Sequence, residues 1–495
     1  MGIIQKQAVR NTVIQVAGNM FGAITRLLMP LVLSAAEIGV FQILDAISGF
    51  FKMVFNLGFI QVLLRLFPKY RNEEKGHHGF LAFGIYISLI GIAFSYTLYY
   101  LLGTGFWVNA NDENYILVQS FVWLVIPRVF FRILFVNIDG YVRMLFNSVI
   151  GSFLESLVIK IVIATGVLLF WLTYIDYSAV VYFYMLAFCI PGVVIIIYAL
   201  AKTKKITAPA PELYAKENRK QLSSLMLFGM LAGASGSLVL YVDTYMVANL
   251  ISVEAIGIYG TLFFAARLII MPSRAINAIA NTVLAESWKE NDMDNILLVY
   301  RKSCLNQLLL GGFLYVLGWG LIESALSFSV KFNEYSDHLY VFFFLGLSVI
   351  IEMATGTNSA VISTSKKYRY NTYFILILVV VLIATNFIFI HYFNLEGAAM
   401  ASAVSVFIVN LIRWAFLYKT YNLQPFNGAF FKTLLFIAGM MCLAHFVNIS
   451  DNQIINLLVK GFMLTTVFWG GAILLKLSPD INDWLAKIRN VILRK

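Results

Sequence analysis

The chain has 495 residues, 60% hydrophobic and 12% charged, with a mean hydropathy of +0.82. So apolar a composition excludes an ordinary water-soluble domain, and the formal charge of +11 is too scattered for a nucleic-acid surface. Cys189, Cys304 and Cys442 lie in or beside apolar stretches without paired spacing, so they read as small packing residues rather than a disulfide framework or metal site.

A helix crosses the bilayer core with roughly 20 apolar residues. In chain order about fourteen stretches reach that length. They are 11–33, 40–64, 80–103, 116–138, 145–171, 178–201 and 221–249, then 255–281, 303–322, 338–362, 371–392, 396–418, 429–448 and 453–476. The runs are continuous, which favours helices over a barrel of short alternating strands. Lys6 and Arg10 precede the first run, but no short core with a small-residue cleavage site follows, so this span is expected to stay.

Basic residues fill alternate gaps. Lys6 and Arg10 precede the first span; Arg65, Lys69, Arg71 and Lys75 follow the second, and Arg143 follows the fourth. Lys202, Lys204, Lys205, Lys216, Arg219 and Lys220 follow the sixth, Lys289, Arg301 and Lys302 the eighth, and Lys366, Lys367 and Arg369 the tenth. Lys419, Lys432 and the tail from Lys476 to Lys495 complete the set. The other gaps carry Glu37, Asp112, Glu113, Asp176, Glu254, Glu334, Asp337 and Asp451 against one cation, Lys331. The positive-inside rule then places both termini in the cytoplasm, which requires an even number of spans.

The longest hydrophilic segment, with Pro209 and Pro211, reads as a linker carrying a short surface helix at 212–220. An internal repeat flanks it. Ser34-Ala-Ala-Glu-Ile-Gly-Val-Phe41 aligns without gaps to Ser252-Val-Glu-Ala-Ile-Gly-Ile-Tyr259, each between the first two helices of its half. Tyr141–Asn147 and Ser365–Asn371 correspond after the fourth helix of each half. The expected fold is an all-α integral membrane protein with about fourteen transmembrane helices. Two pseudo-symmetric six-helix lobes, 1–201 and 221–420, flank the linker 202–220; two further helices and a basic tail follow at 421–495.

Charge inside the spans carries the chemistry. An Arg or Lys at mid-membrane costs about 2.5–3.5 kcal/mol, so it implies a cavity or a partner. Asn11, Gln15, Asn19, Gly22 and Arg26 share one arc of the first helix, and Gln42, Asp45, Gly49, Lys52 and Asn56 one arc of the second. Arg128 and Arg132 lie one turn apart on the fourth. Arg267, Arg274, Asn277 and Asn281 share a face of the eighth, and Asp243 follows Gly229, Gly233 and Gly236 on the seventh. Arg26 has the option of an ion pair with Asp45, and Arg132 of one with Asp139. Glu155 and Lys160 do not share an α-helical face. In the first lobe Arg26, Lys52, Arg128, Arg132 and Lys160 exceed Asp45 and Glu155, a balance suited to a multiply charged anion such as a phosphate or diphosphate. The diphosphate-binding candidates are therefore Arg26, Lys52, Arg128, Arg132, Arg267 and Arg274, with Asn19, Asp45 and Asn56 as cavity polar groups. Asp45, Asp243 and Glu352 are candidate coupling acids for H+ or Na+. No catalytic residues, metal site or cofactor are expected. Asp292-Met-Asp294 reads as a solvated loop and His77-His78 as a loop pair without metal-ligand spacing.

Two six-helix lobes, two extra helices, the cationic stripes and the paired octets together resemble the polysaccharide-exporter, or repeat-unit flippase, family of the multidrug/oligosaccharidyl-lipid/polysaccharide flippase superfamily. Asp243-Thr-Tyr-Met-Val-Ala-Asn249, followed by Ile256-Gly-Ile-Tyr259, is similar to that branch's seventh-to-eighth helix signature. The resemblance implies a non-enzymatic flippase in the bacterial inner membrane. Its expected cargo is an undecaprenyl-diphosphate-linked oligosaccharide for O-antigen, capsule or exopolysaccharide. It moves the cargo outward by alternating access, driven by the membrane potential, H+ or Na+. Membrane lipids and a polysaccharide polymerase are the implied partners. A lipid II flippase is the near alternative: Arg26 and Lys52 occupy places comparable to its arginines, but Leu27 follows Arg26 where an Arg-Asp pair is expected, and Lys52 stands where Arg is expected. A cation-coupled multidrug exporter predicts twelve spans and an acidic cavity. A membrane polymerase or ligase predicts a large catalytic outer loop.

Overall fold

A chain inside hydrocarbon must pair its own backbone groups, and the computed structural model does so with helices in every described span. It describes residues 2–203, 207–211, 216–234, 238–329, 331–450 and 452–479. The helices are α1 (Gly2–Leu28), α2 (Ala35–Phe55), α3 (Phe59–Tyr70), α4 (Phe80–Leu102), α5 (Tyr115–Phe121), α6 (Val125–Met144), α7 (Val149–Phe153), α8 (Ile159–Trp171) and α9 (Tyr177–Lys202). They continue with α10 (Lys216–Ala234), α11 (Leu238–Leu250), α12 (Val253–Leu268), α13 (Met271–Glu290), α14 (Met293–Leu326), α15 (Phe332–Ser336), α16 (Leu339–Ala354) and α17 (Asn358–Thr364). The last are α18 (Tyr370–Tyr421), α19 (Gly428–Phe446), α20 (Gln453–Ile455) and α21 (Gly461–Leu474).

Among the described residues nine helices are long and apolar enough to cross a membrane, and eleven if the bent pairs α12–α13 (50°) and α16–α17 (46°) each count as one span. The 52-residue α18 would be about 78 Å long at 1.5 Å per residue, far beyond one bilayer. Its backbone leaves helical geometry at Asn394 (φ 47°, ψ −125°), where it divides into the stretches read as 371–392 and 396–418. Within the expected span 40–64 the backbone turns at Leu57 and Gly58, both with positive φ (53° and 62°), and α2 and α3 together still form one candidate span, Ala35–Tyr70. The expected surface helix at 212–220 lies partly outside the described residues; from Lys216 the chain is already α10. Lys204, Lys205, Gly236 and the basic tail from 480 onward also lie outside them.

The contacts divide the chain into two compact units, Met1–Gly257 and Ile258–Lys495. The division falls inside the second octet rather than in the linker, since α10 packs on α3 and α11 on α2. In unit 1, α6 is central, against α2, α4 and α9, while α1 lies along α7 and α8. In unit 2, α14 packs on α13, α16, α19 and α21, and α16 packs on α18.

The repeated octets do the same local work. Ser34 caps α2 through a reciprocal box: its Oγ accepts from the Glu37 N–H (3.3 Å) and its own N–H donates to Glu37 Oε2 (2.8 Å). Ser252 Oγ accepts from the Ala255 N–H at 3.1 Å ahead of α12. The two octets also meet. A Cβ on Gly39 would run into the Val253 carbonyl oxygen, and one on Gly257 into the Ala35 carbonyl oxygen. Gly39 aligns with Gly257 and Ala35 with Val253, so the contact has a local two-fold relation.

Candidate functional site

The site is assembled on α2, which presents Asp45 and Lys52 one side up, two turns apart. Opposite it α6 presents Arg128 and Arg132, four residues apart and therefore on one face. Asp45 accepts hydrogen bonds from both guanidiniums: Arg128 Nη2 bonds its Oδ1, and Arg132 Nη1 reaches the same oxygen at 3.0 Å. Arg128 is fully buried, while 21% of the Arg132 side chain and 28% of the Asp45 side chain stay accessible. On the far side α9 supplies rings at the matching one-turn spacing. The Arg128 guanidinium lies 3.9 Å from the Phe188 ring centre and 4.9 Å from that of Tyr184; Arg132 lies 5.2 Å from Phe188. A buried cation gains from such faces because water no longer competes for it. Nε and Nη1 of Arg128 are buried without hydrogen-bond partners among the described residues, so the rings and one carboxylate are its surroundings.

Three further cations surround this core. Lys52, half-buried, feels Arg132, Glu155 and Asp45 electrostatically. Lys160, on α8, lies in the field of Arg26, Asp45, Glu155 and Arg132, and its chain crosses the bare face of α1 at Gly22, where a Cβ would stand 3.0 Å from its Cδ. Arg26, exposed near the end of α1, is close enough to act on Asp45 and Tyr184. A π-helical turn over Leu154–Val158 precedes α8, and Glu155 within it contributes to the field at Lys160. In that turn the Ser156 carbonyl projects at α1, and only a glycine, Gly18, leaves room for it.

One expected pairing is replaced. Arg132 binds Asp45, and Asp139 is taken by Arg143 (Nε to Oδ2, 2.6 Å), its neighbour one turn along α6. Asn56 has a local duty: its Oδ1 accepts from the Gly58 N–H at 2.8 Å and holds the left-handed turn that ends α2. Asn19 is exposed on α1. Asp243 is fully buried on α11.

Unit 2 brings together a smaller set. Arg267 Nη1 stands 3.9 Å from Glu352 Oε2, both partly exposed, and Arg267 lies 5.1 Å from the Phe263 ring. Arg413 on α18 lies in the field of Glu352 and was not singled out from sequence. Arg274 is exposed on α13. Beside them Asn410 is a polar lock: its Oδ1 accepts from Thr355 Oγ1 (3.0 Å) and Asn358 Nδ2 (2.8 Å), which fixes the α16–α17 bend against α18.

The rings at Tyr184 and Phe188 are functional neighbours that the charge pattern did not expose. Their four-residue spacing, equal to that of Arg128 and Arg132, is the signal that pairs the two helices.

The geometry can be set beside known proteins. The fold is shared with a lipid II flippase, MurJ, in an inward closed conformation: TM-score 0.70 and 16% identity, over 94% of this chain and 100% of that one. It is also shared with an inward-facing MATE multidrug resistance transporter of the MOP superfamily, with TM-score 0.61 and 13% identity over 88% of this chain and 98% of that one. A mutant of the Vibrio cholerae MATE transporter VcmN gives TM-score 0.51 and 14% identity over 86% and 99%. At these identities the likeness concerns the fold, that of multi-pass membrane transporters. No curated protein matches the sequence. The family described as polysaccharide biosynthesis protein matches residues 4–285, more than half of the chain and the whole of the Asp45 cluster. The chain is a member of the polysaccharide biosynthesis protein family, built on the fold of the MOP-superfamily transporters.

Proposed function

We propose that this protein is a flippase for polyprenyl-diphosphate-linked oligosaccharide repeat units, which it carries from the cytoplasmic to the outer leaflet of the bacterial inner membrane by alternating access. The reading includes fourteen spans, cytoplasmic termini and two six-helix lobes. Family membership supports the pathway, and the transporter fold supports movement rather than catalysis. The observation that carries the cargo's chemistry is the imbalance around Asp45: five cations from α1, α2, α6 and α8 gather about two carboxylates. Guanidinium and ammonium groups hold phosphate oxygens through charge-assisted hydrogen bonds, so an entering diphosphate completes the neutralisation that Asp45 begins. Arg132, Lys52 and Arg26 are its accessible ligands, and Arg128 acts from behind through Asp45. Arg267 and Arg274 are assigned to the same cargo at a different stage of its passage. Asp45 is less suited to carry a coupling proton while two guanidiniums hold it; Asp243 and Glu352 remain the candidate acids. A polysaccharide polymerase is the natural recipient of the product.

The test is flipping of a fluorescent polyprenyl-diphosphate oligosaccharide by purified protein in liposomes. Arg26→Ala and Lys52→Ala should each slow flipping roughly tenfold or more, the loss of one charge-assisted contact, at unchanged incorporation. Full activity in both variants would overturn the site assignment, and faster transport of lipid II than of the repeat unit would overturn the cargo.

A further inference from the structure

A polar cavity of about 300 Å³ opens in unit 1 at the end of α3, α6 and α9 that bears the basic loops. Arg71, His77, Phe146, Asn147, Tyr198 and Lys202 line it. Its cations are held on aromatic posts: Arg71 lies 3.9 Å from the Phe146 ring centre and Lys202 lies 5.9 Å from that of Tyr198. Asn147 Nδ2 donates to the Tyr198 hydroxyl and fixes the second post. Glu73 is the acid on the rim, exposed to solvent.

The floor is unusual. Gly76, His77, His78 and Gly79 have consecutive positive φ values of 56°, 51°, 53° and 74°. A left-handed turn disfavours any residue with a Cβ, at about 1–2 kcal/mol each, so two histidines there need a reason. The turn is held from outside, because the Ala210 N–H donates to the His78 carbonyl at 3.0 Å and ties down the linker. The geometry presses His77 into the cavity wall with 5% of its surface exposed, and its Nδ1 is buried there without a hydrogen-bond partner among the described residues. A buried imidazole nitrogen normally finds a partner.

We infer that this cavity is a binding site for a phosphate ester group, with Arg71 and Lys202 as its cations and His77 as the buried polar contact. It is separate from the Asp45 cluster: it draws on the other end of α6 and on the 71–79 loop. The inference rests on the proposed orientation only in naming the cytoplasmic side as the source. Two sources share the chemistry, namely the head group of an anionic phospholipid in the adjacent leaflet and a free phosphorylated solute.

Binding by the full-length purified protein separates them. Native mass spectrometry in uncharged maltoside detergent micelles containing phosphatidylglycerol reads retained lipid. Calorimetric titration with inorganic phosphate reads the free anion. The Arg71→Ala/Lys202→Ala double variant, checked for monodispersity and helical content, should bind the responding probe roughly tenfold more weakly, the loss of charge-assisted hydrogen bonds. His77→Gln, which keeps a polar group, should show a smaller loss. A lipid response supports the site with the leaflet as source, and a phosphate response supports it with a solute as source. Binding of neither probe by the native protein, or equal binding by native protein and folded double variant, overturns the inference. None of these readouts depends on flipping, so the site stands or falls apart from the transport function.

Discussion

Asp45→Asn isolates the energetics of the cluster. The change keeps the shape of the side chain and removes one negative charge between two guanidiniums. Arg128 has no accessible surface, and its ionic partner within the described structure is Asp45, so its charge is left uncompensated. Removing one member of a buried pair costs about 3–5 kcal/mol. With 28% of the Asp45 side chain accessible, water reaches one side of the pair, so the lower end, about 3 kcal/mol, is expected. The assay is equilibrium unfolding in mixed micelles, with Arg128→Met and the double variant completing the cycle. Arg128→Met leaves Asp45 with Arg132 and fills the space beside Phe188, so it should cost about 1–2 kcal/mol. The double variant leaves no sealed charge and should lie close to Arg128→Met alone, giving a coupling of about 3 kcal/mol. If Asp45→Asn unfolds within about 0.5 kcal/mol of the native protein, or if the two changes simply add, the pair is not the structural anchor described here.

Other outcomes follow from the same geometry. An imposed potential, negative inside, should speed outward movement of an anionic head group, since each charge crossing 100 mV is worth about 2.3 kcal/mol; liposomes with valinomycin-clamped potentials read this, and a rate indifferent to potential would remove the electrical drive. Gly18→Ala should cost folding yield, because the new methyl meets the backbone carbonyl of Ser156, whereas Gly22→Ala meets only the flexible chain of Lys160 at 3.0 Å and should be tolerated; expression and thermal stability of the two variants separate them.

The sequence displayed the apolar stretches, nine to eleven of which form candidate spans among the described residues, because apolar length is a local property. It displayed the repeat because the octets share both a serine cap and a glycine at the crossing. Partner choice was not legible. The sequence offered Asp45 to Arg26 and Asp139 to Arg132, and the adjacency of α2, α6 and α9 that hands Asp45 to Arg128 is a tertiary fact. Glu155 and Lys160 were set apart by helical spacing, and the π turn that carries Glu155 has no sequence signature. Asn56 sat in a polar stripe for a local reason, the turn at Leu57–Gly58, which periodicity counts as though it faced a cavity. The strained His77–His78 turn was read as an ordinary loop because nothing in the letters Gly-His-His-Gly fixes the hand of the backbone.

The two arginines of α6 are chemically identical and one turn apart, yet their surroundings give them different work. Arg128 is sealed between Asp45 and two rings, and on the proposed reading its effect on transport passes through the position of Asp45. Arg132 shares that carboxylate through one Nη1 bond and keeps 21% of its side chain accessible, which leaves donors of its five for an incoming oxyanion. Arg128→Lys should therefore lower stability, because an ammonium cannot span both the carboxylate and the Phe188 face, while leaving the substrate concentration for half-maximal flipping unchanged in the folded fraction. Arg132→Ala should raise that concentration roughly tenfold with a smaller stability cost, because it removes the proposed contact with cargo and leaves the Arg128–Asp45 pair in place. Concentration-dependent flipping together with unfolding on the same preparations gives both numbers. A rise in half-saturation with Arg128→Lys, or none with Arg132→Ala, would reverse the division of labour argued from burial.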